Sequence, residues 1–355
     1  MNKLNIVAPI NSLGYGIVSK NIVKEMSKTT DIALYVIGNV EQDNDIEFYQ
    51  QLLQKGYQYK DRSNAPCLKI WHEFDLSTRV GNGPYCVFPF FEINKLDQKR
   101  INHLSSVDTI VVASDWAKGV IKDANVSVPV HVVPLGVDSE IFSQQPQRQS
   151  DKCTFLNCGK WEKRKGHDVL LEMFKTAFPN EPDVQLIMMA SNPFLNEKAS
   201  NEWNRYYMSD DRVRLYNRLP SHHEVAKVMA SSDCGIFPSR AEGWNLELLE
   251  MMAMGKHIIT TNYSAHTEFC NKDNADLIDI EKLEPAEDGV FFDGSAGEWA
   301  SLEGTPFEQG VEYMRNFYSK WKTDSDIVNT EGVKTAKQLT WSHTSERLKE
   351  IMYGN

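Results

Sequence analysis

The stretch Cys234-Gly-Ile-Phe-Pro-Ser-Arg-Ala-Glu242-Gly-Trp-Asn-Leu-Glu-Leu-Leu-Glu250-Met-Met-Ala-Met-Gly-Lys256 reads as a short apolar strand, a Gly-containing turn and an apolar helix. A strand that is apolar on both faces and leads straight into a helix belongs to a parallel sheet covered on both sides. The same alternation extends outward in both directions. Upstream, strands are expected at Leu4–Ala8, Ile32–Ile37, Cys67–Trp71, Tyr85–Phe88, Thr109–Ala113 and Val130–Val133, with a helix over Ile17–Met26. Nearer the opening stretch, Thr154–Cys158, Val184–Met189, Val213–Tyr216 and His257–Thr260 read as strands, and His167–Phe178 and Glu224–Ser231 as helices. The fold class is α/β.

A polar, Pro-containing and aperiodic segment, Ser143–Asp151, separates the two sets. The expected plan is two Rossmann-like domains, 1–148 and 149–312, facing each other across a cleft, with closing helices over 313–355 that pack back on the first domain. Open parallel sheets bind ligands outside the carboxyl ends of their strands, so both domains would present ligand sites there. The segment 276–303 holds nine acids and one Lys and is expected to be a solvated excursion.

The 355 residues are 41% hydrophobic, 25% charged and 10% aromatic, ordinary for a globular protein with sizeable cores. No run approaches the roughly 20 apolar residues of a membrane span. The amino terminus reads as a first strand and not a signal peptide, so a cytoplasmic protein is expected. Of the net charge of −11, residues 1–150 contribute about −1 (15 Lys/Arg, 16 Asp/Glu) and residues 151–355 the remaining −10 (23 against 33). That balance argues against non-specific nucleic-acid binding. Six cysteines without metal spacing are expected to be free and buried.

The chemistry concentrates at strand ends. Glu242 and Glu250 flank the turn at which a helix opens near Asn245, and free N–H groups at a helix N-terminus favour a diphosphate. A glycosidase needs carboxyls roughly 5–10 Å apart. Eight residues of helix span about 12 Å, so this pair is poorly placed for hydrolysis. Asn157-Cys-Gly-Lys160-Trp-Glu-Lys-Arg-Lys165-Gly puts cations on a strand-to-helix loop, where they could neutralise a departing diphosphate. Asn11-Ser-Leu-Gly14-Tyr-Gly16 follows the first strand; it lacks the third glycine of a dinucleotide fingerprint. His72, Glu92 and Ser114 stand at later strand ends. No metal site is expected: Asp324-Ser-Asp326 lies in the helical tail, and no His/Cys cluster has ligand spacing.

The Glu242–Glu250 stretch resembles the E-x7-E motif of retaining GT-B glycosyltransferases of family 4, Pro-Ser-x-x-Glu-Gly-Phe-Gly-Leu-x-x-Leu-Glu-Ala-Met-Ala-x-Gly. Pro238, Ser239, Glu242, Gly243, Leu246, Leu249, Glu250, Met252, Ala253 and Gly255 match it. Lys160 and Lys165 stand in the similar Gly-Arg-x-x-x-x-Lys-Gly pattern, with Lys160 in place of Arg. Pro134-Leu-Gly-Val-Asp138 is similar to the family's Pro-Asn-Gly-Val-Asp, and Glu268 to a later Glu.

The resemblance implies a retaining, metal-independent hexosyl- or pentosyltransferase that needs no cofactor beyond a nucleotide-diphosphate sugar as co-substrate. Its acceptor would be a hydroxyl group of a glycan, lipid-linked or small molecule. In that reading Glu242, Lys165, Lys160 and His72 are catalytic. Gly14, Gly16, Gly243, Trp244, Asn245, Leu246 and Glu250 bind donor, Glu250 through the ribose diol. Glu92 and Ser114 face the acceptor. Asn245 and Glu247 depart from the usual Gly and Pro, and Trp244 from the usual Phe. With the acidic segment, they resemble a phage-encoded branch, which keeps a hydroxymethylated DNA base open as acceptor against the charge argument. A GT-B sugar-nucleotide epimerase or phosphorylase, or a non-catalytic nucleotide-sugar binder, are the competing readings.

Overall fold

The computed structural model describes residues 1–41, 45–144, 150–324 and 327–354. The chain divides into two units, one comprising Met1–Gly136 with the residues from Leu339 onward, the other Val137–Gln338. The expected 148/149 boundary falls outside the described residues. The expected 312/313 division falls inside a continuous helix, and the chain crosses between units at Gln338/Leu339.

In the first unit β1 (Lys3–Ala8), α1 (Gly14–Ser27), β2 (Asp31–Val36), α2 (Ile46–Gly56), β3 (Cys67–Lys69), β4 (Tyr85–Val87), α3 (Gln98–Leu104), β5 (Thr109–Val112), α4 (Asp115–Asp123) and β6 (Val130–Val132) follow one another. The strands form one parallel sheet in the order β2-β1-β3-β4-β5-β6. This extends the flavodoxin-like 2-1-3-4-5 order, whose reversal lies between β1 and β3. Val87, Leu104, Ile110, Val112 and Ile121 pack into its core.

In the second unit the order is β7 (Cys153–Gly159), α5 (His167–Ala177), β8 (Val184–Ala190), α6 (Glu197–Tyr207), β9 (Val213–Tyr216), α7 (His222–Ala230), β10 (Cys234–Phe237), α8 (Leu246–Ala253), β11 (His257–Thr261), β12 (Asp276–Ile278), β13 (Leu283–Glu287), β14 (Asp293–Ala300), α9 (Thr305–Thr323) and α10 (Thr330–Gln338). Its sheet, β12-β11-β10-β7-β8-β9, is parallel with the Rossmann 3-2-1-4-5-6 order, and the reversal lies between β7 and β10. The last helix, α11 (Trp341–Tyr353), belongs to the first unit: Thr344 Oγ1 donates to Pro134 O (2.8 Å) and Tyr353 OH to Lys3 O (3.2 Å). No described helix is long and apolar enough to cross a membrane.

The acidic segment departs from expectation. It contains β12 and an antiparallel β13–β14 hairpin that is anchored to the unit. Trp299 is fully buried and donates Nε1–H to Glu284 (3.2 Å), and Glu284 also accepts from Arg240 Nε (2.7 Å). Glu287 and Asp293 are exposed, whereas Ala286, Trp299 and Ala300 are buried. All six cysteines are free and buried.

Candidate functional site

The loop after β7 and the turn after β10 lie at the carboxyl ends of the two strands that flank the sheet's reversal, where such sheets bind ligands. Glu242, in the turn, is buried, and both of its oxygens are hydrogen-bonded. Its Oε1 accepts from Lys165 Nζ (3.0 Å) and Ser239 Oγ (2.8 Å), and its Oε2 from Arg164 Nη1 (2.8 Å). Arg164 also donates to Ala241 O (2.7 Å) and Glu162 Oε2 (2.5 Å), and Lys160 pairs with Glu162 Oε1 (2.7 Å). Three cations and two carboxylates thus alternate through one cluster. Burial by itself would raise the Glu242 carboxyl, but Arg164 and Lys165 outweigh it and hold the group well below the usual carboxylate range. The Lys165 ammonium is disfavoured by burial and rescued mainly by Glu242, ending above its ordinary value.

Backbone geometry makes room for this cluster. Gly159 has φ +151°, and a Cβ there would lie 2.6 Å from Lys165 Cδ, so the lysine stem lies flat on the glycine. Gly166 caps α5 in the left-handed region (φ +74°), and a Cβ would meet Pro238 O at 2.1 Å. We therefore expect Gly166→Ala to destabilise the protein by about 2 kcal/mol or more, from the left-handed penalty plus the backbone clash. Equilibrium urea unfolding checks this; a change under about 0.5 kcal/mol, the range of ordinary surface substitutions, would refute it. Arg240 fastens the same loop from the other side. It takes Asp168 in a two-pronged bond (2.7 and 2.9 Å), donates to Lys163 O (2.6 Å) and reaches the hairpin through Glu284.

Two buried histidines flank the cluster, both held neutral. His167 donates Nε2–H to Asn157 Oδ1 (2.8 Å), and its Nδ1 accepts from Glu162 N (3.3 Å). Burial and the neighbouring Lys165 push its pKa down to about 3. His266 lies in a 3-10 turn, Ser264–Glu268, behind the Glu242–Asn245 turn.

The helix α8 opens at Asn245, as expected. Asn245 is left-handed (φ +86°, ψ +78°), and its Oδ1 caps the helix by accepting from Leu248 N (3.2 Å). Gly243 is buried, Leu246 is the first helical residue, and the Trp244 ring lies 4.7 Å from that of Phe269. Glu250 is buried on the same helix. Desolvation, then Glu247 and Asp138, push its carboxyl well above the usual range.

Gly14, Gly16, His72 and Glu92 lie around Tyr15. Gly14 and Gly16 are the first and third residues of α1, a correction to the expected loop before that helix. Gly16 is needed for close approach, since a Cβ would meet Asn11 Oδ1 at 2.2 Å. Between them Tyr15 donates its hydroxyl to Phe90 O (2.8 Å) and accepts from Phe90 N (2.9 Å), and its ring lies 4.6 Å from His72. His72 stacks on Phe74 (4.9 Å, 14°). Glu92 is half-buried and close enough to help raise the Tyr15 hydroxyl, behind burial and Glu73. Ser114 is fully buried, and its Oγ caps α4 through Ala117 N (3.2 Å).

Sequence reasoning missed Arg164 and Glu162, the pairing of Arg164 with Glu242, and the supporting Ser264 and His266. The run Lys163-Arg164-Lys165 was the available signal for Arg164, but nothing local distinguishes which cation turns inward.

The family model for Glycosyl transferases group 1 matches residues 152–287, the stretch that carries this cluster. Residues 152–287 are thus similar to glycosyl transferases group 1. A putative glycosyltransferase 45 of Sulfolobus islandicus filamentous virus (isolate Iceland/Hveragerdi) is 21% identical over 182 residues, 50% of this chain and 48% of that protein. An MMP alpha-(1->4)-mannosyltransferase of Mycolicibacterium hassiacum is 26% identical over 187 residues, 52% of this chain and 43% of its own. The chain thus spans less than half the length of these curated relatives. Anabaena HepE, solved in complex with UDP and glucose, superposes over 100% of both chains with a TM-score of 0.70 at 12% identity. The fold is therefore GT-B.

Proposed function

We propose that the protein is a retaining, metal-independent glycosyltransferase. It moves a hexosyl or pentosyl group from a nucleotide-diphosphate sugar to a hydroxyl acceptor, with no cofactor. One observation carries the reading: a carboxylate held by two buried cations, with a third cation paired to the neighbouring Glu162, sits next to the capped N-terminus of α8 at the sheet's reversal. When the glycosidic bond breaks, negative charge grows on the leaving diphosphate. Fixed cations and helix N–H groups stabilise that charge without reorganising. Lys160 is the most accessible of the three and is assigned to the diphosphate directly; Arg164 and Lys165 supply the positive field behind it.

Both oxygens of Glu242 are engaged by Arg164, Lys165 and Ser239, so Glu242 is poorly suited to attack an anomeric carbon. This supports a same-face displacement in which the leaving phosphate accepts the acceptor's proton, Glu242 orienting the donor sugar. Glu250 is assigned to the ribose diol. Hydroxyl donors there favour the ionised carboxylate and offset the burial that disfavours it in the free protein. His72 and Glu92 remain proposals for the sugar and acceptor side.

A thermal-shift panel of nucleotide sugars, followed by measurement of nucleoside diphosphate release with EDTA present, tests the reading. A donor at about 100 times its Kd adds about 2.7 kcal/mol to folded-state stability. No shift with any UDP-, GDP- or ADP-sugar would remove the donor assignment, and loss of turnover in EDTA would remove the metal-independent one.

Glu250→Gln separates stability from binding. A folded-state carboxyl pKa above its unfolded value makes the native state bind more protons, so stability declines as pH rises from about 4.3, the unfolded value. Removing the ionisable group should therefore make the free protein more stable than wild type at pH 7 while erasing its response to donor. A variant that is less stable and still responds would contradict both halves.

A further inference from the structure

The Glu242–Asn245 turn is clamped from behind by the segment after β11. Ser264 Oγ accepts from Glu242 N (2.8 Å), Ala265 N donates to Glu242 O (3.3 Å), and His266 Nε2 lies 2.9 Å from Asn245 Nδ2. The hydrogen bonds around His266 leave one arrangement. Thr260 Oγ1 gives its proton to Phe237 O (3.0 Å) and Thr261 Oγ1 gives its proton to Ser239 O (2.6 Å). The two hydroxyls and Thr261 O therefore meet His266 Nδ1, at 3.0, 3.2 and 3.1 Å, as acceptors only. The single proton of the neutral ring must sit on Nδ1, leaving Nε2 bare. Asn245 must then turn its NH₂ to the ring, which aims its Oδ1 at Leu248 N, the cap of α8.

We infer that His266 is a positioning residue for the donor-binding turn: as the Nδ1–H tautomer it fixes the amide of Asn245, and through it the left-handed turn and the N-terminus of α8. Its consequence for donor affinity rests on the glycosyltransferase reading; the orientation itself does not. A charged ring would present Nε2–H to the Asn245 NH₂, two donors face to face. Burial keeps the ring neutral: it lowers the pKa to about 4, with Lys165 and Arg164 acting in the same direction and Glu242 and the Thr261 carbonyl against it.

The test combines 15N NMR of the His266 ring with a double-mutant cycle over His266→Phe and Asn245→Gly, and His266→Gln as the conservative variant. Affinity is titrated with whichever of UDP, GDP or ADP shifts wild-type unfolding most. Phe keeps the bulk but has no acceptor, so His266→Phe should weaken binding about tenfold, equivalent to about 1.4 kcal/mol. Gly takes the left-handed turn unaided and has no amide to orient. In the Asn245→Gly background the His266→Phe penalty should therefore shrink to less than about twofold, a coupling expected only of residues that act on each other. His266→Gln, which can place an oxygen near the Nε2 position, should recover most of the affinity. An Nε2–H tautomer, or a His266→Phe penalty unchanged by Asn245→Gly, would overturn the inference. If none of the three nucleotides binds wild type, the donor reading falls. The tautomer and the same cycle on unfolding midpoints still decide the orientation: coupling upholds it and additivity rejects it.

Discussion

Replacing Lys165 by Met is expected to cost about 3 kcal/mol of stability and to cut turnover by a factor on the order of 10² to 10³. The two effects share one origin. Lys165 is buried, and its ammonium sits 3.0 Å from Glu242 Oε1. Removing one partner of a buried pair leaves the other desolvated, which generally costs about 3–5 kcal/mol. Arg164 stays on the second oxygen of Glu242, which places the expected value at the low end. The turnover loss follows because the methionine fills the volume over Gly159 and supplies no charge for the departing diphosphate. Urea unfolding and nucleoside diphosphate release measure the two quantities separately. A variant as stable as wild type would show that the ion pair is compensated elsewhere; one with full turnover would detach Lys165 from catalysis.

Glu242→Gln should be costlier and should change the acid limb of the stability curve. Its carboxyl titrates below the unfolded value, so it contributes stability that is complete above about pH 5 and lost as pH falls through and below about 4.3. The glutamine variant leaves Arg164 and Lys165 side by side with Glu162 as the remaining buried anion of the cluster. About 3–5 kcal/mol should disappear at pH 7. The gap between wild type and variant should then narrow toward pH 3, because the wild type loses what the variant never had. Parallel curves at pH 7, 5 and 3 would show that Glu242 is not the group that senses acid.

The parallel sheets were legible from the chain because buried parallel strands are short, apolar on both faces and bounded by turns; eleven of the twelve strands described in those two sheets were expected within a residue or two, Asp276–Ile278 being the exception. The turn at Glu242–Asn245 and the helix after it were legible because a polar residue with its own cap precedes an apolar run. What escaped notice depends on long sequence separations. Arg164 and Glu242 are 78 residues apart, and a run of three basic residues gives no local reason for one to turn inward. The β13–β14 hairpin escaped because it is rich in acids and its buried members, Ala286, Trp299 and Ala300, are few and do not alternate. Gly14 and Gly16 looked like a loop because glycine is a poor helix former; at Gly16 the close approach of Asn11 leaves no room for a Cβ.

The path of the chain between units has a consequence for synthesis. The first unit is left at Gly136 and re-entered at Leu339, so the second is threaded as an insertion within it. On a ribosome, the second unit's strands are all available to fold before α11 emerges, whereas the first waits for that helix to reach α1, Lys3 and Pro134. Until then the surface that α11 covers stays exposed to solvent. The unit made first is thus completed last, and a nascent chain stalled before Leu339 would expose it to chaperones and proteases with the second unit already in place.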